Sequence, residues 1–383
     1  MMNVYCLNDI SKKALDGIKK PDGVTSDIND ANAILVRSAV MHDMELPNNI
    51  LAVARAGAGV NNIPLQAYAE KGIPVFNTPG ANANAVKELV LCGLLLSSRD
   101  ILGGNRWVDE HKNDENIAKT AEKAKSQFAG QEIYGKSIAV IGLGVIGVLV
   151  ANACQALGMK VKGYDPYLTI SNAMRLSKEV AYFEKIEDAV EGCDYVTIHV
   201  PLNDSTKGLM NQKLFDLLHD AVLLNFSRDS IVNEDDLIKS IEAGHIRKYV
   251  TDFANPKVVH LKEAIILPHL GASTKEAEDN CAVMAIDELK DFIENGNITH
   301  SVNYPDVHLG PKEGWNRVCV LHRNIPGAIT KITSTIVDFN SNIVSFTNKS
   351  RGEYAYSIFD VDGEVDQARI ESLPGIIRVR VIK

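Results

Sequence analysis

Three glycines and one aspartate carry the most specific chemical signal in the chain. Gly142, Gly144 and Gly147 form a G-x-G-x-x-G turn directly after the apolar run 138–141 and ahead of the apolar stretch 148–157. Asp165 stands eighteen residues beyond Gly147, at the end of a second apolar run, 159–164. Each part has a physical task. The first glycine permits a tight turn, the second lets a pyrophosphate approach the backbone, and the third lets helix and strand pack closely. A helix starting there offers free N–H groups and a partial positive charge to the phosphates. Asp165 can accept hydrogen bonds from ribose hydroxyls, which favours NAD over NADP. Glycine-rich turns alone are common, but strand, glycines, helix, strand and acid occur here in order, which points to a dinucleotide site.

The rest of the chain must position that site and bring a substrate to it. With 383 residues it is long enough for two or three domains, each with its own core. A net charge of −9 argues against nucleic acid or an anionic membrane as partner. An anionic substrate would therefore need a local cationic pocket. No uncharged apolar segment approaches the length of a membrane span, and the first residues do not read as a signal peptide. The cysteines at 6, 92, 154, 193, 281 and 319 include no C-x-x-C pair. Free thiols in a reducing cytoplasm are expected, with no disulfide and no metal site.

Apolar runs at 4–7, 33–36, 51–54 and 73–76 alternate with helical patterns, so residues 1–92 read as a small α/β unit. A helix is expected over 87–101. Residues 103–130 are polar apart from Trp107 and could form an arm. After Asp165 the alternation resumes, with strands expected at 195–200, 221–225, 249–252 and 264–267 and a long helix over 274–295. Residues 306–314 read as a linker. Beyond it, the pattern of 315–383 is β-α-β-β-α-β, the order of a ferredoxin-like module.

These residues support a family resemblance. The chain resembles the D-2-hydroxyacid dehydrogenases, and among them the short D-3-phosphoglycerate dehydrogenases with a C-terminal ACT domain. The likeness covers nearly the whole chain. It rests on Arg37-Ser38, Gly57-Ala58-Gly59-Val60-Asn61-Asn62, Asn77-Thr78-Pro79, the glycine motif and His199-Val200-Pro201-Leu202. It continues through Asn225-Phe226-Ser227-Arg228, Thr251-Asp252-Phe253, Pro268-His269-Leu270-Gly271-Ala272-Ser273-Thr274 and Ser301-Val302-Asn303-Tyr304-Pro305.

The resemblance implies an α/β fold in three parts. A Rossmann-type NAD domain (93–271) is inserted in a smaller flavodoxin-like substrate domain (1–92 with 272–305). A linker (306–314) leads to a ferredoxin-like ACT domain (315–383), and the active site is expected in the cleft between the first two domains. The implied reaction is NAD-dependent oxidation of 3-phosphoglycerate, or of a related 2-hydroxy acid, as the entry to serine biosynthesis. Arg228 would anchor the substrate carboxylate through two parallel hydrogen bonds. His269 would exchange the hydroxyl proton, since imidazole titrates near neutral pH. Along the cofactor the resemblance places Gly142, Gly144, Val145, Ile146, Gly147, Asp165, Pro201, Phe226, Ser227, Arg228, Asp252, His269 and Gly271. Asp252 would be the acid on the nicotinamide side; the plainer alternative is a strand-end cap. For the substrate it places Arg37 and Ser38 at the phosphate, and Gly57, Gly59 and Asn61 at the carboxylate. The alternative for Arg37 is a surface ion pair.

One member of the family pattern is missing. A glutamate that holds the catalytic histidine is expected a few residues after Asp252, yet the chain reads Asp252-Phe253-Ala254-Asn255-Pro256-Lys257. Three readings stay open: Glu263 or another acid takes its place, the enzyme works without it at a shifted pH optimum, or the site is impaired and serves regulation.

In the C-terminal module, His322, Asn324 and Asn342 match the amino-acid-binding positions of ACT domains, which implies L-serine as an effector. Exposed edge strands there invite pairing of chains, as a homodimer or homotetramer.

Overall fold

The computed structural model describes residues 1–383. They form two compact units, one of Met1–Asn82 with Lys275–Lys383, the other of Ala83–Thr274.

The first unit opens with β1 (Asn3–Cys6), β2 (Gly23–Thr25), β3 (Ala33–Val36), β4 (Ala52–Arg55) and β5 (Val75–Phe76). They make a parallel sheet in the order β2-β1-β3-β4-β5, the doubly wound arrangement of flavodoxin-like folds. β3 is buried at every position, as its uninterrupted apolar run requires of a strand covered on both faces. The helix Lys275–Asn295 covers one face, burying Ala282, Ala285, Leu289 and Phe292, a stripe at helical spacing.

The second unit holds β6 (Ser137–Ile141), β7 (Lys160–Tyr164), β8 (Ala181–Phe183), β9 (Tyr195–Ile198), β10 (Ala221–Asn225), β11 (Ile246–Thr251) and β12 (Ala264–Ile266). Their order, β12-β11-β10-β9-β6-β7-β8, is parallel throughout, with the chain reversing its direction of travel between β6 and β9. Ligands of such sheets bind outside the carboxyl ends of the strands at that switch point. The unit begins at Ala83, ahead of the expected boundary near 92. The reason is the helix Ala83–Ser98, whose Val86, Val90 and Leu94 join Val140, Leu224 and Val250 in one core. That helix stops before 101, because the Asp100 side chain caps a new helix, Ile101–Glu110, by accepting from the Gly103 N–H at 3.0 Å.

The third sheet belongs to the first unit. β13 (Asn316–Arg323), β14 (Ile343–Arg351), β15 (Tyr354–Val361) and β16 (Ile376–Ile382) are antiparallel in the order β14-β15-β13-β16. Helices Ala328–Asp338 and Gln367–Glu371 complete the β-α-β-β-α-β order. Strand alternation gives the sheet two apolar faces. Val318, Val320, Phe359 and Val361 meet the module's own helices, while Cys319, Leu321, Tyr356 and Ile358 join the core around Leu289, Phe292 and Ile293. Residues 306–314 are held in place: Val307 and Ile298 exchange backbone hydrogen bonds of 2.9 and 3.0 Å, and the Gly310 carbonyl accepts from Asn297 and Arg317.

Candidate active site

β6 delivers the glycine loop to the switch point. Gly142 has φ +94°, and a Cβ there would lie 2.6 Å from the His199 carbonyl oxygen at the end of β9. A Cβ on Gly147 would lie 1.8 Å from the Gly142 carbonyl oxygen, so no side chain fits. Gly144 caps the helix Val145–Ala156 and would meet nothing within 4 Å, leaving the approach to its backbone and to the first-turn N–H groups of Val145 and Ile146 open. Asp165 ends β7. Its Oδ2 accepts from the Leu143 N–H and its Oδ1 from the Tyr167 N–H, both at 2.8 Å. Each oxygen keeps a further lone pair for a ribose hydroxyl. The donors, the open backbone at Gly144 and the acid at the strand end fit a dinucleotide. Gly147→Ala should abolish binding: wild type at a hundredfold excess of NAD over Kd gains about 2.7 kcal/mol in a thermal melt, and the variant should gain nothing.

β9, β10 and β11 bring the remaining groups. Pro201 is exposed after β9, its carbonyl accepting from Thr206 Oγ1 at 2.6 Å. The Phe226 ring is buried in the core, so at this position only the backbone is left to face a ligand. Ser227 Oγ donates to the Ile198 carbonyl at 2.7 Å, locking the turn after β10 to β9. Buried Asn225 donates to the Arg228 carbonyl at 2.9 Å and sets the backbone from which the exposed Arg228 guanidinium projects. One of its Nη atoms donates to the Ser227 carbonyl at 2.6 Å.

Asp252 follows β11 and is 1% exposed. Its Oδ2 accepts from the Gly271 N–H at 2.9 Å, while Oδ1 has no hydrogen-bond partner. Burial pushes its carboxyl pKa up; the Gly271 N–H and the charges of His269 and Arg228 pull it down. A Cβ on Gly271 would come within 3.2 Å of the same carboxylate. His269 is exposed, with φ +51°, a left-handed conformation held by its N–H donating to the Asp252 carbonyl at 2.9 Å. The Phe253 ring flanks it at 5.0 Å between centroids. Asp252 thus ties its strand end to the 268–271 loop twice, its carbonyl to the His269 N–H and its carboxylate to the Gly271 N–H.

The segment lacking the expected glutamate is tied to the helix Glu234–Glu242. Asn255 Nδ2 donates to Glu234 Oε1 at 2.5 Å, and Lys257 Nζ to Asp235 Oδ1 at 2.6 Å. Glu263 engages β11 through its backbone, its carbonyl accepting from the Tyr249 N–H.

In the first unit, Arg37 and Ser38 follow β3 on a loop held by Asn8, whose Oδ1 accepts from the N–H groups of Arg37, Ser38 and Ala39. Arg37 Nη2 donates to Glu278 Oε1 at 2.6 Å, both side chains 41% exposed. Arg55, at the end of the neighbouring β4, donates from Nε to the Arg37 carbonyl at 3.1 Å. Gly57 has φ +150°, and its missing Cβ leaves room for the Arg55 guanidinium, 2.5 Å from where it would lie. The Asn61 carbonyl is 2.9 Å from His42 Nε2, and Gly59 is half-buried in the same loop. Sequence reasoning missed Asn8, Arg55 and Glu278. Only Arg55 left a local signal, a cation at a strand end in a sheet of this class.

The expected effector residues do not converge within one chain. His322 is 2% exposed, its ring set between Ser357 Oγ and the Arg323 carbonyl, each at 2.9 Å, and burial lowers its pKa. Asn324 and Asn342 flank opposite ends of the helix Ala328–Asp338, which at 1.5 Å per residue is about 16 Å long. Asn324 donates to the Gly352 carbonyl, and the Asn342 N–H to Asp362.

Residues 91–271 match the family described as "D-isomer specific 2-hydroxyacid dehydrogenase, NAD binding domain". D-3-phosphoglycerate dehydrogenase of Haemophilus influenzae is 31% identical over 99% of this chain and 92% of its own length. The enzyme of that name from Escherichia coli K12 is 29% identical with the same coverage. Among solved structures, cofactor (NAD+)-bound 3-phosphoglycerate dehydrogenase of Entamoeba histolytica aligns with 79% of this chain and 98% of its own, at 26% identity and a TM-score of 0.61. D-2-hydroxyisocaproate dehydrogenase, 19% identical with a TM-score of 0.63 over 79% of this chain and 100% of its own, shares the fold. With the switch-point glycine loop and the turn joining Asp252 to His269 and Gly271, the full-length match places the chain in the D-isomer-specific 2-hydroxyacid dehydrogenases, within the D-3-phosphoglycerate dehydrogenase family.

Proposed function

We propose that this chain oxidises 3-phospho-D-glycerate to 3-phosphohydroxypyruvate with NAD. The observation carrying the reading is the tie of the His269 loop to buried Asp252, in the unit whose glycine loop fits a dinucleotide. Arg228 anchors the substrate carboxylate with paired, charge-assisted hydrogen bonds. His269 takes the hydroxyl proton as general base. NAD, when bound, supplies the acceptor for the hydride leaving C2. Asp252 stabilises the imidazolium that results, standing in for the missing glutamate. Gly142, Gly144, Gly147 and Asp165 hold the dinucleotide, and Arg37 binds the substrate phosphate.

NADH-linked turnover tests this in both directions. Turnover of 3-phosphoglycerate and its keto acid is expected, with D-glycerate at least tenfold poorer in kcat/KM. Equal use of phosphate-free hydroxy acids would reject the phosphate assignment, and NAD binding without turnover would reject the catalytic one.

The β-α-β-β-α-β module supports an ACT-type regulatory domain, with L-serine as effector and the cytoplasm as its setting. Because Asn324 and Asn342 lie at opposite helix ends, one ligand spanning both positions requires two chains, which ties the effector reading to a homo-oligomer. Serine at millimolar concentration should lower turnover in the same assay.

A further inference from the structure

The Arg37–Glu278 ion pair stands where the proposed function needs a phosphate. We infer that Glu278 is an internal competitor for Arg37, a carboxylate that occupies the guanidinium until a phosphate dianion displaces it, making it a specificity-determining residue. The inference rests on the reading of Arg37 as the phosphate-binding residue.

Three observations carry it. First, the contact is direct, at 2.6 Å, and both side chains are 41% exposed, so exchange needs no unpacking of a core. Second, the pair belongs to a cluster with two cations. Arg55 lies against the Arg37 backbone, and the Cys281 thiol, pushed up mainly by burial, also feels the charges of Arg55, Arg37 and Glu278. A second cation beside the pair favours an anion of higher charge. Third, Glu278 lies in the first turn of the buried helix Lys275–Asn295, which holds it beside Arg37 rather than letting it swing free.

The exchange has a direction. A phosphate monoester carries a charge of about −1.5 to −2 at pH 7 and three acceptor oxygens, against one charge and two oxygens for a carboxylate. It therefore outcompetes Glu278. The neutral hydroxyl of a phosphate-free analogue does not, and Arg37 then stays with its internal partner. Surface screening keeps the pair weak enough to yield.

The test is steady-state kinetics of wild type, Glu278→Gln, Arg37→Ala and the double variant with 3-phosphoglycerate. Glu278→Gln is expected to lower KM about two- to fivefold, the range of an exposed ion pair, with kcat within about twofold. In the Arg37→Ala background the same change should leave KM unaltered. If Arg37→Ala alone leaves KM unchanged, the phosphate reading of Arg37 falls. If Arg37→Ala raises KM but Glu278→Gln leaves it unchanged or raises it, Glu278 orients Arg37 instead of competing for it and the inference is overturned. An equal drop in KM with and without Arg37 overturns it too, since the effect is then long-range charge.

Discussion

His269→Asn should lower kcat for 3-phosphoglycerate by about two to four orders of magnitude, the usual contribution of a positioned general base. Asparagine is the informative replacement. His269 sits at φ +51°, and asparagine adopts that left-handed conformation more readily than other side chains that cannot take a proton. The backbone hydrogen bond to the Asp252 carbonyl at 2.9 Å is kept. A loss of turnover with unchanged melting temperature and unchanged NAD affinity would then report the missing imidazole. Asp252→Asn separates proton transfer from its electrostatic support. It keeps a polar group of the same shape but removes the buried charge bonded to the 268–271 loop, so the imidazolium loses a stabilising partner. Half-maximal kcat should therefore move to lower pH. A pH profile identical to wild type would reject Asp252 as the acid behind His269.

What could be read from the sequence follows the physics of each element. β6 and β10 are uninterrupted apolar runs because parallel strands covered on both faces must be. Both stand where the pattern predicts them. β2 and β8 are not legible. Each is three residues at a sheet edge, with no fully buried position, and only pairing with β1 or β7 makes them strands. The start of the helix Ala83–Ser98 was missed because its first turn, Ala83-Asn84-Ala85-Val86, reads as a continuation of the polar loop before it.

The site divides in the same way. The glycine loop and Asp165 are local in sequence, and the loop's geometry depends on backbone sterics that glycine alone satisfies. The partners of Arg37 are remote: Asn8 lies 29 positions away and Glu278 lies 241 positions away. No local pattern marks them. His322 is a different case: the motif around it points to a ligand site, and its ring is buried against Ser357, a partner 35 positions away that no local pattern marks.

Arg317→Ala should destabilise the first unit by about 3–5 kcal/mol, the effect of breaking a buried ion pair from one side. Arg317 is 1% exposed. Its Nε and Nη2 donate to the two oxygens of Asp360 at 2.7 and 2.8 Å, and its Nη1 donates to the carbonyls of Asn295 and Gly310 at 2.8 and 2.7 Å. Asn295 is the last residue of the helix Lys275–Asn295, whose final carbonyls lack intrahelical partners. Arg380 serves the same helix end, donating to the Phe292 and Ile293 carbonyls at 3.3 and 2.8 Å. Two arginines of the antiparallel sheet therefore cap the helix that carries Glu278 at its other end, with favourable charge at its negative pole. Removing Arg317 strands Asp360 and the Asn295 carbonyl together, while the Gly310 carbonyl keeps its bond from Asn297. Pairing it with Asp360→Leu should restore only part of the loss, because the Asn295 carbonyl stays unsatisfied while the carboxylate is gone. Chemical denaturation of the three variants checks the ordering. Full recovery in the double variant would mean that the Arg317 cap on the Asn295 carbonyl contributes nothing.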